Sequence, residues 1–490
     1  MAAARIGSRS IRNLAAADAT LTLELDLTPR FRLASLPGEA LPESSVTSTY
    51  FDSDDHRLAR AGVILRRRVE ARRGAWHLKL PGGASRIVLP GGPGAPPAEL
   101  YELVTAFLRG AELRQVAVLR TRHSGVRLTG NDGSVADVTV DAVARLEGGH
   151  VTDSFRELDA VVTGGTARSL RRLERMLERA GAIEGDGRQK LYRALHLPVP
   201  EPLPVPTRDA TLREHLHTML ATQLAAILAH DPGTRHGVDP EELHQLRVAT
   251  RRLRAFLRAA RPLLELEWAE SLRAELGWVG GVLGPVRDLD VLLERLHDDA
   301  RTLDPADQRP LQRLYGLLEA EREVDRDLML EAMRSDRYLT LLDRLEAAVA
   351  KPRLTTEVGS VAEIAAAEFR RFRKAAKALG DPPADEELHA LRIRGKRARY
   401  SAELAEPVAG KGATRFIQAA KQLQDVLGEH QDSVVAEARI RGALRQLGGK
   451  GVSFAAGRLV ERERGRRAAA REAYPDALEA LLRAGKAAWS

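Results

Sequence analysis

Cysteine is absent from all 490 residues, which excludes disulfides, thiolate metal sites and cysteine nucleophiles. Aromatic residues supply only 4% of the chain, so its cores must be built mainly from Leu, Val, Ala and Ile. No run of 18 or more apolar residues occurs, so no membrane-spanning helix is expected. The opening MAAARIGSRSIRNLAAADA lacks a continuous apolar stretch of signal-peptide length, and the compartment this predicts is the cytoplasm. Also missing are the Gly-x-x-x-x-Gly-Lys-[Ser/Thr] phosphate loop, a dinucleotide fingerprint, a His-Glu-x-x-His pair and a nucleophile elbow, which removes the common nucleotide, zincin and serine-hydrolase chemistries.

Charge, by contrast, is plentiful. Lys and Arg number 76 against 68 Asp and Glu, a net of +8. So small an excess makes the placement of the positive charge matter more than its total. The length predicts two or three domains, and PVPEPLPVPT at 198–207 gives the clearest boundary. Its prolines at every second position favour an extended spacer and forbid a helix.

Before the spacer, short alternating segments predominate: TLTLELDL (20–27), VTSTYF, VILRRRVE (63–70), WHLKL, VAVLRTR (116–122), VADVTVDAV (135–143) and FRELDAVV (155–162). Each suits a strand with two unlike faces, separated by Gly- and Pro-rich turns. Two helical patterns interrupt, near 98–108 and 167–181. After the spacer, apolar residues recur at helical spacing to the end. The expectation is an α+β multidomain protein: an antiparallel barrel or strongly curved sheet with a few helices, then an all-α domain.

The helical half repeats itself. LHQLRVATRRLRAFL (243–257) matches LHALRIRGKRARYSA (388–402), pairing His244, Arg247, Arg251, Arg252 and Arg254 with His389, Arg392, Lys396, Arg397 and Arg399. About forty residues on, LGPVRDLD (283–290) matches LGEHQDSV (427–434), aligning Gly284 with Gly428 and Asp288 with Asp432. Such a repeat implies two related bundles. At about 100° per residue, offsets of 3, 7 and 10 fall on one helix face. His244, Arg247, Arg251 and Arg254 therefore point one way with Arg258 a turn further on, and His389, Arg392, Lys396 and Arg399 share a face of their own helix. Between 243 and 264 stand six Arg and no carboxylate. Like charges at i,i+4 repel, so a face kept this basic predicts an anionic partner, and Arg suits phosphate because its planar fork donates two hydrogen bonds. A further basic stretch, FRRFRKAAKAL (369–379), reads as surface by itself.

These two His-x-x-Arg-x-x-x-[Arg/Lys] helices and the two Leu-Gly-x-x-[Arg/Gln]-Asp segments resemble the CHAD family (conserved histidine α-helical domain), over about 208–490. The resemblance implies two pseudo-symmetric four-helix bundles with a basic cleft that binds inorganic polyphosphate. It carries the phosphate-contacting role to His244, Arg247, Arg251, Arg254, Arg258, His389, Arg392, Lys396 and Arg399, with Lys421 in AAKQLQDVLG a further member. Association with polyphosphate granules goes with it.

The first half, over 18–197, is similar to the CYTH or triphosphate tunnel metalloenzyme superfamily, carried by YFDSDDHRLARAGVILRRR, WHLKLPG, VLRTR, the acidic strands and RQKLYRAL. That resemblance implies an eight-stranded antiparallel tunnel. Arg66, Arg68, Lys79, Arg120, Arg122 and Lys190 would hold a triphosphate, and Glu24, Asp26, Asp137, Asp141, Glu157 and Asp159 would hold Mg²⁺ or Mn²⁺. Strand alternation independently puts Arg66 with Arg68, Arg120 with Arg122, Asp137 with Asp141, and Glu157 with Asp159 on common faces. The family's first-strand Glu-x-Glu-x-Lys is degenerate, however. Anchored on Pro29 and Phe31, its positions fall on Thr20, Thr22 and Glu24; shifted, on Glu24, Asp26 and Thr28. Fewer carboxylates recruit a hard cation less well, so weak or no hydrolysis is expected here.

The expected function is polyphosphate binding without a required cofactor. The alternatives are metal-dependent tri- or polyphosphate hydrolysis in the tunnel and, secondly, non-specific nucleic-acid contact. The basic faces carry almost no aromatics for base stacking, so no sequence-specific nucleic acid and no membrane are expected as partners, whereas short triphosphates are.

Overall fold

A computed structural model describes residues 12–13, 21–81, 86–130, 134–163, 166–199, 205–207, 209–355 and 359–489. Residues 200–204 of the proline spacer, and Thr20 of the first-strand motif, lie outside them. The chain divides into two compact units, Met1–Glu201 and Pro202–Ser490.

The first unit is built on one antiparallel sheet. Its long strands form where alternating segments were expected: β2 (Leu21–Leu27), β3 (Glu39–Asp52), β4 (Ile64–Glu70), β5 (Arg73–Lys79), β7 (Arg114–Thr129), β8 (Val135–Glu147) and β9 (His150–Thr163). Three short strands join them, β1 (Arg12–Asn13), β6 (Arg86–Pro90) and β10 (Ala182–Glu184), in the order β1-β2-β9-β8-β7-β3-β4-β5-β6 with β10 also on β2. Four helices accompany the sheet: α1 (Arg57–Arg60), α2 (Ala98–Leu108), α3 (Ala167–Ala180) and α4 (Lys190–Ala194).

The expected barrel is corrected by this topology. Closure would require β6 to pair with the free edge of β2, but β1 and β10 already occupy that edge, and the sheet stays open. One sheet face carries Leu23, Leu25, Val138, Val140, Leu158 and Ala160 and packs on Leu170, Leu173 and Leu177 of α3. The other face is polar towards β2, β9 and β8, and α4 lies over it: Leu191, Tyr192 and Ala194 pack on Tyr50, Leu119 and Val143.

The second unit is all helix: α5 (Leu212–His236), α6 (Pro240–Ala259), α7 (Leu266–Ala300), α8 (Pro305–Arg334), α9 (Asp336–Ala350), α10 (Val361–Ala376), α11 (Asp385–Ala409), α12 (Lys411–Leu447) and α13 (Lys450–Trp489). Several starts are set locally. Thr211, Asp239, Ser335 and Ser360 cap α5, α6, α9 and α10 with side-chain oxygens on free backbone N–H groups, and Pro240 takes the first position of α6, where no donor is lost. The two expected bundles are α5, α6, α7 and α9, and α10 to α13. The longer helices then run on. The C-terminal part of α7 and the start of α8 pack with the end of α12 and the start of α13 through Leu289, Leu296, Leu311, Leu314, Ile440 and Leu459. The repeat helices α6 and α11 touch each other. Their contacts include Arg251 with Tyr400 and Arg252 with Glu403, and Arg258 stands beside Arg397, so a later position on α6 meets an earlier one on α11 and the two run antiparallel.

Candidate functional site

The second unit gathers its cations where α6, α7 and α11 meet. Apolar positions of α6 (Leu243, Leu246, Ala249, Leu253) and α11 (Leu388, Leu391, Ala398) are buried. That burial turns the intervening His and Arg positions towards a shared cleft, as amphipathic spacing requires. Arg247 crosses to α7, where its Nη2 reaches an Asp288 oxygen at 3.3 Å. Arg251 donates from Nε to the Tyr400 hydroxyl at 3.0 Å.

One of the repeated glycines explains how a guanidinium group fits. A Cβ at Gly284 would stand 2.9 Å from Arg247 Nη1, and one at Gly428 would stand 3.6 Å from Arg392 Nη2. At Gly284 the long helix leaves out a side chain where Arg247 passes, whereas at Gly428 a Cβ would make only an ordinary contact with Arg392. Arg254 lies likewise against Gly277, whose Cβ would stand 3.4 Å from the guanidinium carbon.

Carboxylates answer only part of this charge. Asp288 faces Arg247 and is mostly exposed. Glu403 takes Arg252 at 3.5 Å and Arg399 at 3.3 Å. Asp432 opposes Arg392 and Lys396 through space. Against these three stand His244, Arg247, Arg251, Arg252, Arg287, Arg392, Lys396 and Arg399. Buried side-chain nitrogens without a hydrogen-bond partner among the described residues include Arg247 Nη1, Arg287 Nε, Arg392 Nε and His389 Nδ1. An unsatisfied buried donor costs about 1–3 kcal/mol, so several together mark a surface shaped for acceptors it does not itself contain.

The electrostatics agree. Burial, then Arg392, Arg251 and Arg399, push the Lys396 ammonium down to about 7 despite Asp432. Burial also lowers Arg247 and Arg392, each further lowered by Arg251. His244 is held below the usual histidine range by burial and by the charges of Arg287, Arg251 and Arg247.

Of the ten residues expected here, His244, Arg247, Arg251, Arg392, Lys396 and Arg399 come together. His389 sits one turn before Arg392 on the same face. Arg254 is exposed beside α7, Lys421 is exposed on α12, and Arg258 lines a separate cavity. Arg287 and Tyr400 were not foreseen. Arg287 stood inside the repeat segment, but its side chain points at His244 and Arg247 only because α7 packs on α6.

In the first unit, β2, β9 and β8 align Asp26 with Glu157 and Asp141, and Glu24 with Asp159. Ligand oxygens of Asp141, Glu157 and Asp159 lie within 4.8 Å of one another. Lys190, delivered by α4, sets its ammonium on Glu157 and 2.8 Å from Asp141. Arg193 pairs with Asp26 and stands 3.7 Å from Glu157. His123 Nδ1 is 2.5 Å from Asp141. Burial raises Asp159 to about 6 and raises Glu157, whereas His123 and Lys190 bring Asp141 down against its burial. The cavity here, about 220 Å³, also includes Arg66 and Lys79.

Four of the residues expected at this site have other surroundings. Arg120 and Arg122 share a face, as alternation requires, but pair in register with Thr47 and Ser45 on the side opposite His123 and Asp141. Both are exposed, and Arg122 meets Glu43 at 2.8 Å. Asp137 shares the acidic face but stands four residues, about 13 Å of strand, from Asp141, and it pairs with Arg127 at 2.7 Å. Arg68 is on the polar face but bonds Glu70. The three-carboxylate set suits a hard divalent cation by its oxygen chemistry, and two of those carboxylates are already neutralised by Lys190.

Among the described residues no helix is long and apolar enough to cross a membrane. Comparison with known proteins matches residues 218–441 to the CHAD domain. Two uncharacterized proteins from two strains of Mycobacterium tuberculosis are each 33% identical over 495 aligned residues, covering 94% of this chain and 94% of theirs. Solved structures similar to parts of the chain include PptA from Streptomyces chartreusis (24% identity, 55% of this chain and 99% of that one, TM-score 0.47). The CHAD domain from the plant Ricinus communis is another (27% identity, 58% and 98%, TM-score 0.47). HpAC1 from Hippeastrum, for which a dominant triphosphatase activity is described, matches at 17% identity (36% and 97%, TM-score 0.25). The chain thus belongs, with the two mycobacterial proteins, to a family whose helical half is a CHAD domain.

Proposed function

We propose that the helical unit is a receptor for inorganic polyphosphate, gripped in the cleft between α6, α7 and α11. The observation that carries this reading is the surplus of cations there, with buried donors of three arginines unsatisfied and one lysine driven close to neutrality. A chain with negative charge on every phosphate supplies the missing acceptors along two antiparallel basic helices. Guanidinium groups of fixed planar geometry then bind its oxygens in pairs. No metal is needed for that contact, so binding persists in EDTA. Changing Arg247, Arg251, Arg392 and Lys396 together to Ala abolishes polyphosphate binding while helical circular dichroism is retained. Undiminished binding by that variant would place the receptor elsewhere.

A second reading is favoured by the carboxylate cluster of Asp141, Glu157 and Asp159: a metal-assisted triphosphate hydrolase in the sheet unit, as the CYTH resemblance implies. A bound divalent ion there would polarise a phosphoryl oxygen. Lys79 and Arg66 line the same cavity and would orient the anion, and Lys190 holds Glu157 and Asp141 until displaced. Phosphate release from tripolyphosphate that requires Mg²⁺ or Mn²⁺ supports this reading; its absence leaves the unit as an anion-holding domain.

A further inference from the structure

A second basic cavity, about 250 Å³, lies where the end of α6 meets α10 and α11. It is separate from the cleft. At about 100° per residue, Arg394 and Arg397 stand roughly 140–200° around α11 from Arg392. Its walls carry Arg258, Arg261, Arg371, Arg394 and Arg397, with Phe372 as an apolar floor and Glu368 as the carboxylate. Glu368 is taken by Arg371, and Arg261 finds Glu270 at 3.6 Å. Arg258, Arg394 and Arg397 have no ion-pair partner among the described residues, and burial and the charge of Arg258 lower Arg397.

The internal repeat shows that this repulsion is not dictated by the fold. The alignment that pairs His244 with His389 puts Arg252 opposite Arg397 and Arg258 opposite Glu403. On one side of the pseudo-two-fold, Glu403 meets Arg252 at 3.5 Å. On the other, the position of Glu403 is held by Arg258, and an ion pair is replaced by two facing guanidinium groups. The same backbone accommodates a neutralised pair, so the unneutralised one leaves room for an external anion. Arg258 also ends the face of α6 that begins at His244, roughly 21 Å away along the helix at 1.5 Å per residue.

We propose that this cavity is a second phosphate-anion site that takes a terminal segment of a condensed phosphate chain whose middle lies in the cleft. The link to the cleft rests on the function proposed above; the cavity's own affinity for a short oligophosphate does not. Two linked sites on one chain raise overall affinity without any new contact in either.

The test is calorimetric titration of the full chain with orthophosphate, tripolyphosphate and long-chain polyphosphate. The R258E variant restores the pairing seen at Glu403, and R258A/R397A removes the pair. Both variants should unfold at a temperature equal to or above the parent's, since a repulsion is removed. Outside the sheet unit, the parent should bind two tripolyphosphates and each variant one, and long-chain affinity should fall about tenfold or more in the variants. Unchanged stoichiometry and long-chain affinity in R258E and R258A/R397A would overturn the proposal. Orthophosphate binding as tight as tripolyphosphate would overturn the oligophosphate assignment. The four-residue cleft variant separates the two claims: if it still binds two tripolyphosphates while R258E binds one, the cleft reading falls and this cavity stands.

Discussion

In the receptor proposed above, Lys396 would make the binding of polyphosphate a proton-coupled event. Its ammonium titrates at about 7 instead of the ordinary 10.5, because it is buried among Arg392, Arg251 and Arg399 with Asp432 as the opposing charge. A polyanion entering the cleft reverses the sign of those surroundings and favours the charged form. If it returns two pH units, the complex titrates near 9, and affinity falls about 25-fold between pH 7 and 9, out of about 100-fold over the full titration at 1.36 kcal/mol per unit. At pH 8 the free lysine is roughly 10% protonated and the bound one roughly 90%, an uptake of about 0.8 proton. The stability of the free protein runs the other way. A lysine with a depressed folded value binds fewer protons folded than unfolded, so this group adds stability as pH rises from 7 towards 10.5. Titration in buffers of different ionisation heat reads the proton directly, and K396R, charged at every pH, should flatten the affinity profile. A parent whose affinity is equal at pH 6.5 and 9 with no buffer dependence would refute the reasoning.

Three further expectations are independent of that one. G284A should keep or raise thermal stability, since Ala exceeds Gly by about 1 kcal/mol in a helix. Yet its Cβ would stand 2.9 Å from Arg247 Nη1 and should displace that guanidinium, so polyphosphate binding weakens without loss of folding. E463Q should lower stability by about 3–5 kcal/mol in urea unfolding, because Glu463, fully buried, holds Arg295 at 2.5 Å and Arg466 at 2.7 Å. K190A should let the sheet unit take up Mn²⁺, measured by electron paramagnetic resonance, since Asp141 and Glu157 lose the ammonium that now neutralises them; the parent should bind it more weakly.

The cleft was legible because helical spacing is local information. Once His244, Arg247 and Arg251 recur at intervals of three and four, their common face follows from the period of the helix. The contribution of Arg287 was not legible, since it depends on which helix packs beside α6. Nor was the reason for Gly284, which is a clearance for Arg247 between neighbouring helices. In the sheet unit, alternation says that Arg120 and Arg122 share a face but not which face. The barrel failed for a related reason: strands of two and three residues, β1 and β10, leave no pattern in sequence yet occupy the edge that closure needs. Lys190 was read as a ligand for phosphate, whereas a buried ammonium beside two carboxylates is first of all their counter-ion.

Helix α13, 40 residues or about 60 Å long, is greasy at its two ends and charged between them. Val452 to Val460 belong to one apolar cluster and Leu481 to another. The intervening turns bind through Glu463 to Arg295, through Arg466 to Asp299, through Arg464 to Glu437 and through Arg471 to Asp385. Aliphatic ridges tolerate a one-turn slip, because one leucine fills much the same groove as the next. A row of matched ions does not: a slip of one turn would set arginine against arginine. The rod is therefore keyed at its middle, and the two apolar clusters it joins are held to a single register along it.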